Sequence, residues 1–352
     1  MTADHDLVHA LRLQAEVCRE FGSAFNGAML AHMAADLEAG GPVAELLAPW
    51  RGVSRQKILH DAAPLRLVNA FTHLAMGEET PELARAYPRD GAPGDPATAW
   101  RLARALVPEH RAALTAFMAH EPQTNEVRRS GVLLGGFLTV AQATGLPLRT
   151  FELGASAGLN LLWDRFRYRL GEASWGDPAA AVVIPVDWSG PLPPLDIQPR
   201  VIARAACDRR PTDLADLAQR RRLLACVWPD QFDRLARSRA AIDLALAEGV
   251  VIESADALDW VRTRVRLQDG AATVLYHSIF WQYPPQPTRD GLELAIAELA
   301  AQATVRSPFA WLRMEPPADN LAMVRLDLTI WPGGESRRLA EVHPHGAWVR
   351  WL

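Results

Sequence analysis

Between Leu148 and Asn160 the chain passes from an apolar run through an acid, Glu152, into a loop of small residues, Gly154-Ala155-Ser156-Ala157-Gly158. An amphipathic segment starts at Leu159. This is the shape of a strand, a tight turn and a helix N-terminus, and few folds use it. Glycine tolerates positive φ and carries no Cβ, so such a turn lets backbone come close to a ligand. The stretch predicts the cofactor loop of a nucleotide-type α/β fold.

The remainder of the chain divides at the same point. Before Leu148 the periodicity is helical: Leu7, Leu11, Val17 and Phe21 follow one face. Thr80-Pro81 and Asp95-Pro96 are helix starts, with proline where no amide donor is needed. The pattern predicts helices over 96–119, with a break near Pro108, and over 125–143, and no strand. After Leu148 apolar runs alternate with helical segments. Strands are expected over 148–153, 167–170, 181–188, 201–207, 250–253, 273–278 and 309–314, and helices over 159–165, 230–247, 256–265 and 290–303. A closing hairpin is expected from 323–331 and 338–351 about Pro332-Gly333-Gly334-Glu335. Strand–helix alternation implies a parallel sheet covered on both faces. The expected domains are an all-helical N-terminal cap, 1–121, and a Rossmann-like α/β domain, 122–352, with an inserted hairpin at about 166–200.

Composition narrows the function classes. Hydrophobic residues make up 49% of the 352 residues, enough for a sizeable core. The net charge of −4, with no basic stripe, argues against nucleic acid as a partner. Cys18, Cys207 and Cys226 are too widely spaced for a disulfide framework or a zinc site, so no metal is expected. His343 and His345 lack a third ligand. No signal peptide is expected from the polar, acidic start, and the apolar run 131–141 is too short to span a bilayer. A cytoplasmic protein acting on a small molecule, without membrane attachment, is the expectation.

Five constellations carry candidate chemistry. The loop resembles the E/D-x-G-x-G-x-G loop of class I S-adenosylmethionine (SAM) methyltransferases, with serine at the middle glycine. On that resemblance Glu152, Gly154, Ser156, Gly158 and Asn160 hold the cofactor. Free amides and the dipole of the following helix would assist. Asp208 ends the next apolar run and can accept both ribose hydroxyls, although Arg209-Arg210-Pro211 also suits a turn. Asp256 stands where such enzymes bind the adenine amino group, and it also suits an N-cap. His277, at a strand end, is the candidate general base, with Trp281 and Tyr283 as aromatic substrate walls. Asn125, Glu126 and Arg129 open the helix that leads into the loop strand. Glu126 joins His277 as a candidate catalytic group, and Asn125 and Arg129 as substrate contacts.

Two rivals remain. Gly154-Ala155-Ser156-Ala157-Gly158 formally matches the G-x-S-x-G nucleophile elbow, which would make Ser156 and His277 a hydrolase pair. A non-catalytic ligand-binding protein on a methyltransferase-like fold is the other.

Taken together, Gln123-Thr124-Asn125-Glu126 with Arg129, the run Glu152–Leu161, Trp175-Gly176-Asp177-Pro178, Val227-Trp228-Pro229-Asp230-Gln231 and His277-Ser278 resemble a bacterial family of uncharacterised proteins, domain of unknown function 2332. The resemblance covers most of the chain. It implies a shared architecture and cleft, and no substrate. The methyltransferase expectation therefore rests on the loop and on fold-level analogy.

Overall fold

The change of periodicity at Leu148 has a structural counterpart. The computed structural model describes residues 4–89, 91–317 and 323–352. The chain forms two compact units, Met1–Thr124 with Asp216–Ala236, and Asn125–Ala215 with Arg237–Leu352.

The first unit is helical. Its main helices are His5–Glu20, Ala24–Glu38, Ala63–Ala75 and Pro96–Met118. Ser23 caps the second through the Asn26 amide, and Asp95 caps the last through the amides of Ala97 and Thr98. The break expected near Pro108 is absent. Pro108 is exposed, so the carbonyl it deprives of a partner is close to water, and the helix runs on. Segment 216–236, which the sequence reading leaves in the α/β domain, belongs with these helices. Asp230 accepts hydrogen bonds from Ser23 Oγ (2.5 Å) and Phe25 N (2.8 Å), and Cys226 and Trp228 are buried in the helical core.

The second unit is built on an 11-stranded, mostly parallel sheet. Its strands are β1 (Leu148–Leu153), β2 (Arg167–Leu170), β3 (Ala173–Trp175), β4 (Val183–Ser189), β5 (Val201–Asp208), β6 (Glu253–Ser254), β7 (Ala272–Ser278), β8 (Phe309–Glu315), β9 (Val324–Trp331), β10 (Glu335–Val342) and β11 (Trp348–Trp351). Their order is β3-β2-β4-β11-β10-β9-β8-β7-β1-β5-β6. The block β6-β5-β1-β7-β8 is parallel throughout, and β9, β10 and β11 continue it as an antiparallel meander. Six of the seven residues of β7 are buried, as a central parallel strand requires. Helix Arg129–Thr144 lies close on the sheet because Gly131, Gly135 and Gly136 have no Cβ to strike Val186, Trp351 and Leu312.

Several expected boundaries move. The strand expected over 338–351 is two strands, β10 and β11, parted by a turn in which the Gly346 amide bonds His343 O at 2.8 Å. Pro344 cannot donate to a ladder, and Gly346 takes φ 69°. The insert at 166–200 is a hairpin only in β2–β3. Strand β4 runs parallel to β2 and joins the main sheet through β11. The helix expected from Asn125 begins at Arg129, because the Asn125 side chain is used elsewhere. Segment Leu159–Arg165 is a 3-10 stretch, not an α-helix. Among the described residues, no helix is long and apolar enough to cross a membrane.

Candidate functional site

The order of the parallel strands fixes where a site belongs. After an excursion through β2–β4 at the far edge, the chain adds β5 beside β1 and β6 beyond it, then returns to place β7 on the other side of β1. In open α/β sheets the crevice at such a reversal, beyond the carboxyl ends of the strands, is where ligands bind. Strand β1 there delivers Glu152 and the glycine loop, and β7 delivers His277 and Ser278.

The loop is pinned from several sides. The Ala155 amide donates to Cys207 O (3.1 Å), that of Ser156 to Asp208 Oδ2 (2.9 Å) and that of Leu159 to Asn125 Oδ1 (2.8 Å). The Gly158 amide closes a turn on Ala155 O at 2.8 Å, and Asn160 Nδ2 donates to Glu126 O at 3.3 Å. The expectation of free amides at a helix N-terminus therefore fails. The element is 3-10, and the amides of Ala155, Ser156, Gly158 and Leu159 are spent holding the loop in place. Gly154, Ser156 and Gly158 all have positive φ, at 67°, 56° and 71°. For Ser156, which is not a glycine, that is a strained conformation. Two polar atoms here are buried without a hydrogen-bond partner: Ser156 Oγ and Asn160 Oδ1.

Glu152 is 2% exposed and sits opposite Tyr276 in the β1–β7 register, taking the Tyr276 hydroxyl at 3.1 Å on Oε2. Burial pushes its carboxyl up to about 8, against the Tyr276 hydrogen bond and the Arg129 charge that favour ionisation; the Asp208 charge adds to the rise. At neutral pH, therefore, Glu152 is chiefly a neutral acid.

His277 follows Tyr276 in β7, so its side chain is on the opposite face of the sheet. It is fully buried. Trp311 donates its indole N–H to His277 Nε2 at 3.1 Å, and Nδ1 lies 2.6 Å from Glu315 Oε1. An indole nitrogen only donates, so Nε2 is unprotonated and Nδ1–H donates to the carboxylate. Trp281 stacks on the ring with centroids 5.2 Å apart. With both nitrogens engaged, His277 has no lone pair for a substrate proton or for the Ser156 hydroxyl. The roles of general base and of hydrolase partner do not fit this geometry.

The other expected residues distribute as follows. Asp208 uses both oxygens on backbone, Oδ2 on Ser156 N and Oδ1 on Arg210 N (2.9 Å), so it is a loop anchor before any ribose contact. Asp256 caps helix Ala257–Arg264 through the Leu258 amide. Glu126 is buried and accepts from the Arg128 amide at 3.1 Å. It precedes the helix and does not share a helical face with Arg129. Arg129 is half-buried and donates to Pro344 O (3.0 Å) and Ser278 O (3.3 Å). Tyr283 is 68% exposed and lines no wall, whereas Trp281 is half-buried against His277. Tyr276, Trp311 and Glu315 are not among the residues expected from sequence. Glu315 had a signal: it is an acid at the carboxyl end of an apolar strand, as Glu152 is. Among the described residues there is no group of side chains arranged to hold a metal ion.

No curated protein and no solved structure matches the chain. A family model described as an uncharacterized protein conserved in bacteria, domain of unknown function 2332, does match it, over residues 8–351. Sharing that family's pattern along nearly all its length, the chain belongs to it.

Proposed function

We propose that the α/β unit is a Rossmann-like methyltransferase that takes SAM at the β1–β7 reversal and methylates a small molecule. The observation that carries this reading is the conjunction of a parallel β6-β5-β1-β7-β8 order with a glycine loop directly after a buried acid on β1. The buried, unpartnered Ser156 Oγ and Asn160 Oδ1, in and just after the loop, offer hydrogen-bonding capacity that a polar ligand would satisfy.

In this reading Glu152, Gly154, Ser156, Gly158 and Asn160 hold the methionine part and the sugar, and Asp256 faces the base. When bound, SAM supplies an electrophilic methyl group on a sulfonium. The chain's own contribution is to orient the acceptor and exclude water, which is most of what displacement at a methyl carbon requires. Arg129 and Trp281 are the side chains offered to the acceptor. A protonated Glu152 must ionise to meet a cationic amino group, so binding should release a proton.

Calorimetric titration with SAM and with S-adenosylhomocysteine tests the proposal. Binding is expected with both, with a heat that varies with the ionisation enthalpy of the buffer below pH 8. Absence of heat and of thermal stabilisation with both ligands would overturn it.

A further inference from the structure

The segment after β7 carries a second uncommon conformation. Ile279 has φ 51°, and a β-branched residue in the left-handed region is a true outlier. The bend is held by neighbours. The Ile279 amide donates to Met314 O at 2.9 Å, the Phe280 amide to Glu315 Oε1 at 2.8 Å, and Arg129 Nη1 to Ser278 O at 3.3 Å. Glu315 Oε1 also receives His277 Nδ1, while its Oε2 is buried without a hydrogen-bond partner. This bend delivers the Phe280 ring onto the bare face of Gly154, where a Cβ on that glycine would collide with the ring.

We propose that Phe280 is a displaceable plug on the glycine loop, held shut by Glu315 and sprung by the strained Ile279. For the identity of what displaces it, this rests on the adenosyl-ligand reading above. A glycine next to an acid at a strand reversal leaves room for backbone to meet a ligand, and here a side chain fills that room. Ligand and Phe280 compete for one face of Gly154. Releasing Ile279 to ordinary extended backbone recovers part of the cost of opening. Glu315 is thus a positioning residue. It acts through the Phe280 amide and, by fixing His277, through the Trp281 ring stacked on that histidine. A closed resting form lowers apparent affinity by the fraction of molecules that are open, so removing the plug should tighten binding.

Two measurements on the full chain test this. The first needs no ligand: hydrogen exchange followed by mass spectrometry on the wild type and Glu315→Gln. The amides of 279–281 are expected to exchange through a local opening, well ahead of 272–276 in β7, and faster again in Glu315→Gln. If 279–281 exchange only in step with 272–276 in both proteins, the segment does not open and the plug is overturned, whatever binds. The second is calorimetry with S-adenosylhomocysteine on the wild type and Phe280→Ala. The variant is expected to bind several-fold tighter, a gain that simple loss of packing would not produce. Equal or weaker binding by a folded Phe280→Ala overturns the plug and leaves the ligand reading standing. Local opening without binding by either protein upholds the plug and overturns the adenosyl ligand.

Discussion

Tyr276 and Glu152 are register partners on adjacent parallel strands, and the tyrosine hydroxyl closes on the carboxyl at 3.1 Å. Burial holds this acid at about 8 against an ordinary 4.5. The folded chain therefore binds a proton that the unfolded chain lacks between those values. The resulting stabilisation is complete below about pH 4.5 and is lost as pH rises through about 8. In Glu152→Gln that loss should disappear. The stability difference between variant and wild type should shift in the variant's favour by roughly 3–5 kcal/mol from pH 5 to pH 9. Urea unfolding at fixed pH values measures it, and parallel curves for the two proteins would contradict it.

Asp208 ties the loop to β5. Asp208→Ala removes the acceptor for the Ser156 and Arg210 amides. The expected cost is about 2–3 kcal/mol in unfolding free energy, because hydrogen bonds to a carboxylate exceed neutral ones. Ligand affinity should fall as well, since the loop loses its fixed shape.

Ser156 has the backbone of a glycine and the side chain of a possible nucleophile. If the strain at φ 56° serves only the turn, Ser156→Gly should stabilise the protein by up to about 1 kcal/mol. A fluorophosphonate probe should leave Ser156 unlabelled, because His277 has both nitrogens committed. Stoichiometric labelling at Ser156 would instead revive the hydrolase reading.

Trp311→Phe removes the donor that fixes His277 Nε2 in a closed aromatic setting. A loss of about 1–2 kcal/mol is expected in urea unfolding, together with a mixture of His277 tautomers in its ring nitrogen NMR shifts, where the wild-type ring should show the Nδ1–H form alone.

In the helical unit, His73 is pressed down to about 4, by burial first and then by the charges of Arg221 and Arg222. Here the unfolded chain binds the extra proton. Stability is present above about pH 6.5 and is lost as pH falls through about 4. His73→Gln should shed that acid sensitivity while leaving the alkaline limb, set by Glu152, in place.

Much of the α/β order was legible because apolar runs punctuated by glycine and proline have few other uses: β1, β5, β7 and β8 stand close to where periodicity puts them. The candidate residues were legible as strand ends and a loop, their partners much less so. Alternation along β7 separates Tyr276 from His277 onto opposite faces, but only the pairing of β7 with β1 reveals which of the two meets Glu152. Likewise, Asn125 and Asp208 read locally as capping residues, whereas their partners, Leu159 and Ser156, lie far along the chain. Local pattern carries no record of such pairings. The return of 216–236 to the helical unit was invisible for the same reason: Asp230 finds Ser23 and Phe25 across some two hundred residues.

The bond between β11 and β4 has a consequence for how the molecule is made. Among the described residues, Val183–Ser189 join the main sheet by zipping onto Trp348–Trp351, with Trp188 stacked on Trp351 at 5.4 Å. During synthesis the β2–β3–β4 wing must wait, with one flank unsatisfied, until roughly half the polypeptide has been added behind it. Strand β11 thus completes an edge laid down long before it, so this wing closes late relative to its own synthesis.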